Sequence, residues 1–144
     1  MHPCVVVTQP DHIRTHCAEH AFGIYTMEDL IEDIDLYNHE LAQAQDTGEW
    51  RQFNEIWSNK INEKNLDHIN ILLVPSIGLG ELIRSRSIMA LVLNDSAFNL
   101  SLRGMSMQDK PLQIDFRNQC MMFEGHVKQF ETISSLSSSM MTYV

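Results

Sequence analysis

From Thr26 onward, Met27, Leu30, Ile31, Ile34, Tyr37 and Leu41 recur at the spacing that lines one side of a 3.6-residue period, with polar residues between them. The pattern predicts an amphipathic helix. Thr26 stands three residues before Asp29, as a capping box requires, and Glu28 and Asp29 favour the positive end of the helix dipole. Thr47-Gly48 marks the stop, because glycine accepts the left-handed conformation that ends helices. A second helix, Glu49 to Asn62, places Trp50, Phe53, Ile56, Trp57 and the Lys60/Ile61 positions along one face. Two facing apolar stripes joined by a short connection predict an αα-hairpin, around which the rest of the chain is organised.

Upstream, Cys4 to Thr8 is a β-branched run that reads as a buried strand. A short helix is then expected from Pro10-Asp11 to about Phe22, with Asp11 as its N-cap and Gly23 as its stop. Downstream, Ile69 to Val74 and Ile88 to Leu93 are continuous apolar runs on either side of a short helix, Glu81 to Ser87. That is the order of a βαβ unit, with helix the competing reading of both runs. Asn94-Asp95-Ser96 reads as a turn. Phe98, Leu100 and Leu102, then Leu112, Ile114 and Phe116, alternate with polar residues, the period of half-buried strands paired antiparallel. Cys120 to Phe123 fits an extension of that sheet, and Val127, Phe130, Ile133 and Leu136 keep helical spacing for a last helix. The expected fold is α+β: an N-terminal helical region with the αα-hairpin packed on a small, mostly antiparallel sheet, and a C-terminal helix. It forms a single domain over residues 1–144, with a flexible Ser/Met-rich tail over 134–144.

Length supports this. A chain of 144 residues buries roughly 70% of its unfolded surface without needing disulfides. No apolar run approaches the roughly 20 residues that span a bilayer, so no membrane association is expected. No basic region precedes Val5-Val6-Val7, so no secretory signal is expected, and three irregularly spaced cysteines point to reduced thiols. A cytoplasmic location follows as the expectation, or the host-cell cytoplasm for a viral protein.

Charge changes the picture more. Between Arg14 and Arg51 there is no lysine or arginine, while nine carboxylates fall there, matching the whole formal net charge of −9. Such a face opposes nucleic-acid binding and attracts a basic partner. It also serves simple solubility.

The sharpest chemical pattern is His12, His16 and His20, each four residues from the next, with Cys17 beside them. On a helix the three imidazoles share a face, and a cysteine thiolate would complete a tetrahedral set for zinc. The spacing lacks the glutamate of the His-Glu-x-x-His motif. The same row also suits a proton sensor. Cys17 as a nucleophile has a poorly facing neighbour in His16 and a better-facing base in His20, three residues on, but no oxyanion hole. Gly78-x-Gly80 lacks the third glycine of a dinucleotide loop and the Gly-Lys-Ser/Thr of a P-loop.

With no coherent catalytic set, a non-enzymatic acidic interaction module is the expectation, of chaperone, immunity or viral/phage-accessory type. It would associate with itself and bind a basic protein partner through Glu28, Asp29, Glu32, Asp33, Asp35, Met121 and Met122, without a cofactor. The alternative is a metal-binding regulatory or hydrolytic protein centred on His12, His16, His20 and Cys17. A third reading, acidic mimicry of nucleic acid, needs the nine carboxylates in an exposed ribbon.

Overall fold

The computed structural model describes residues 2–8, 14 and 17–144. Its strands are β1 (Cys4–Val7), β2 (Ile24–Thr26), β3 (Ile71–Val74), β4 (Ser87–Leu93) and β5 (His126–Phe130). They form one five-stranded sheet in the order β2-β3-β1-β4-β5, and every pairing is parallel. The helices among the described residues are α1 (Met27–Leu30), α2 (Ile34–Thr47), α3 (Arg51–Asn62), α4 (Ile77–Leu82), α5 (Asp95–Leu102), α6 (Asp109–Met121) and α7 (Ile133–Met140). This is an α/β architecture, which overturns the expected α+β fold with a mostly antiparallel sheet.

β1 is central because its residues are apolar at every position, and a parallel strand between two neighbours is buried on both faces. Val5 pairs with Leu72 on one side and Ile88 on the other. Val5 and Val7 join a core with Tyr37, Phe53, Trp57 and Phe116, whereas Cys4 and Val6 join a second core with Cys17, Leu136 and Met140. Steps β2 to β3, β3 to β4 and β4 to β5 advance in one direction across the sheet, over the first core. Only β1 to β2 runs back, and its Cys17 packs on the other face, as right-handed crossovers require.

Several local expectations hold. Thr26 and Asp29 form the capping box, Gly48 is left-handed at φ 73° and ends α2, and α2 and α3 make the hairpin. Tyr37 meets Trp57 edge-on at 5.2 Å, cementing the two helices. The order β3-α4-β4 is the anticipated βαβ, with β1 inserted between its strands, but its helix is Ile77–Leu82, started by the Ser76 cap, not Glu81 to Ser87.

Other expectations fail for identifiable reasons. The single helix from Thr26 to Thr47 is broken at Ile31–Asp33, where Asp33 accepts the Leu36 N–H and starts α2 afresh. The two alternating segments are helices α5 and α6. Asn94 accepts the Ala97 N–H as an N-cap, and Pro111 lies in the first turn of α6, where its missing donor costs nothing. Their alternation did not report a buried face, since Leu100 is 63% and Ile114 40% exposed. Val127 and Phe130 belong to β5, and the last helix begins only at Ile133, after a Thr132–Ser135 capping box.

Candidate functional site

All five strands point the same way, so Thr8, Thr26, Ser76 and Asn94 gather along one rim at their carboxyl ends. The direction of chain progression reverses beside β1, and open α/β sheets place ligands at such points. Arg14 lies there, only 1% exposed. It donates to the Thr8 carbonyl at 3.2 Å and to Glu28 Oε1 at 3.2 Å. The Tyr37 hydroxyl donates to the same Oε1 at 3.4 Å. Glu28 is therefore a hub that neutralises a buried cation and ties the β1–β2 connection to α2. The Thr8 hydroxyl is buried with no hydrogen-bond partner among the described residues. One strand over, buried Ser76 donates to Asn54 Oδ1 at 2.9 Å and accepts the Leu79 N–H, fixing the start of α4 against α3.

Asp29 forms a second cluster. Its Oδ2 accepts the Thr26 N–H at 2.9 Å and lies 3.0 Å from His20 Nε2. The His20 ring stacks on Tyr25 at 4.2 Å, and Tyr25 meets His68 edge-on at 5.3 Å. Partial burial raises the Asp29 pKa, but the Thr26 backbone, the His20 ring and the Thr26 hydroxyl outweigh it, and the net shift is downward.

Of the proposed histidine row, His20 alone lies among the described residues. His12 and His16 lie outside the described residues. His20 occupies a short 3-10 turn, His20–Phe22, and Ala18, after helical Cys17, is not helical. The expected continuous helix to Phe22 is thus overturned, and its four-residue stacking does not extend to His20. Cys17 is buried in the second core, where desolvation raises its pKa against a lowering hydrogen bond with Ser137. Among the described residues, no group of three His, Cys, Asp or Glu side chains is arranged to hold a metal ion.

The partner-binding candidates also divide. Glu28 and Asp29 are engaged in the fold, and Asp33 caps α2, whereas Glu32 and Asp35 are exposed. Met121 and Met122 are exposed at the end of α6, Met122 at 81%. They are far in sequence from the acidic helices.

What the sequence pattern did not pick out is a groove of about 400 Å³ between the end of α2 and the start of α3. Its apolar floor is Ala44, Phe53 and Ile56, and Glu40 and Glu49 line it with no lysine or arginine. Glu40 Oε2 accepts the Trp57 indole N–H at 2.8 Å, so Trp57 orients that carboxylate. The sequence held a signal for Arg14 as well: it is the last cation before the acidic run. No protein-family model, no curated protein and no solved structure matches the chain.

Proposed function

We propose that the protein is a non-enzymatic acidic interaction module that binds a basic segment of a protein partner. The observation that carries this reading is the charge left over once the fold has used what it needs. Glu28, Asp29 and Asp33 serve the fold, yet Glu32, Asp35, Asp46 and Glu49 remain exposed with no ion-pair partner among the described residues. Holding these like charges on one hairpin destabilises the free molecule slightly and favours a cationic partner. Exposed Met121 and Met122 support self-association through α6 as a part of the same proposal.

A peptide array tests the binding reading. Lysine- and arginine-rich peptides should be enriched over acidic and neutral ones, and the enrichment should fade with added salt and in a variant carrying Glu32→Gln, Asp35→Asn, Asp46→Asn and Glu49→Gln. Equal binding to acidic and basic peptides would defeat the proposal. Sedimentation of the native protein tests self-association, for which Met122→Asp should lower the mass of any oligomer.

A further inference from the structure

Within the acidic hairpin, one place joins charge to apolar surface. The α2–α3 groove combines two carboxylates, Glu40 and Glu49, and the polar Gln43, Thr47 and Gln52 with an apolar floor in which Ile56 is the accessible part and Ala44 and Phe53 lie mostly buried beneath. A flat acidic face would take any polycation and hold it loosely, since exposed pairs contribute little each. A groove with an apolar floor selects more narrowly. It suits a cation carried on an aliphatic stem, because the stem covers apolar surface while the head stays at the polar rim. Its volume is within the roughly 300–1,000 Å³ of sites that bury ligand groups well. The groove runs between two helices, the setting in which an amphipathic partner helix lays down its anchors. Trp57 holds Glu40 through Oε2, so that carboxylate is already placed before a partner arrives.

Resting on the interaction-module reading, we infer that this groove is the docking site for a lysine-bearing amphipathic helix of the protein partner. Lysine ammoniums of that helix meet the Glu40 and Glu49 carboxylates, and an aliphatic stem with a neighbouring apolar residue covers Ile56. The nearest cations in sequence do not line the groove: Arg51 pairs with Glu55 at 3.3 Å, and Lys60 lies over the Trp57 ring.

The test is fluorescence anisotropy of the full chain with a labelled synthetic peptide bearing leucine and lysine at helical spacing, beside oligolysine and spermine. The amphipathic peptide should bind most tightly. Glu49→Lys, alone or with Ile56→Ser, should weaken it at least about tenfold. Glu32→Lys with Asp35→Lys, just before and at the start of α2, should weaken it by less than Glu49→Lys does, through longer-range charge alone. Glu40→Gln keeps an acceptor for Trp57 and should also weaken binding, with unchanged circular dichroism as the check on folding. Equal loss in the groove and Glu32/Asp35 variants would overturn the groove and leave the acidic module standing. Oligolysine or spermine binding as tightly as the amphipathic peptide would overturn it too, since the apolar floor would then be idle. If the wild-type chain bound none of the three cations, the interaction reading itself would fall.

Discussion

Glu28 is the residue on which the rim depends. Arg14 is almost fully enclosed, so removing the carboxylate that pairs with it weakens the compensation of a cation that water does not reach. Glu28→Ala should therefore destabilise the protein by about 2–3 kcal/mol in urea unfolding, less than for a fully enclosed pair because Glu28 is partly solvated. Tyr37→Phe removes only one of the donors to Glu28 and should cost about 1 kcal/mol. Asp29 supplies a pH signature. Its pKa is lower folded than unfolded, so the unfolded chain binds more protons as pH falls. The stability it contributes is complete above the unfolded carboxylate range near pH ~4 and is lost as pH drops through the folded value. Unfolding followed from neutral to acid pH should show a smaller acid loss in Asp29→Asn than in the wild type. The thiols give a third expectation. Burial pushes Cys120 up to about 12, with Arg117 pulling weakly the other way, and burial raises Cys17 as well. Ellman's reagent should leave both unmodified in the native protein and react once urea unfolds it.

At the scale of elements, the legible parts were those with two agreeing signals. The hairpin had periodicity and a left-handed glycine stop, and β1, β3 and β4 had unbroken apolar runs bounded by proline or polar turns. The misread parts had a single signal that tertiary context overrode. In residues 98–116 alternation suggested strands, but the cap at Asn94 and the proline in the first turn of α6 were the stronger local evidence. β2 and β5 lie at the two edges of the sheet, and edge strands need no continuous apolar run. β5 in particular is exposed at His126, Lys128 and Gln129. The groove was invisible because it needs the packing of two helices, although both helices were anticipated. Asn94→Ala should cost about 1 kcal/mol, read as a lower urea midpoint with unchanged slope. Gly80→Ala should be more severe, about 1–3 kcal/mol, because a methyl there would lie 2.8 Å from Ile88 Cδ1 and 3.2 Å from Val5 Cγ1, wedging α4 off the sheet.

At the scale of the whole molecule, the parallel order puts sequence-distant segments side by side. Val5 is held between Leu72 and Ile88, so the central strand has no sheet partner until residues far downstream are present. At about 5–20 residues per second, the ribosome leaves Val5 waiting roughly 3–13 s for Leu72, the first of its partners to be made. During that interval a run of three valines is unshielded, and it has the composition that sticks to other nascent chains. Folding should accordingly be slow for the protein's size, and yield on expression should respond to chaperone supply more than to the stability of the finished structure.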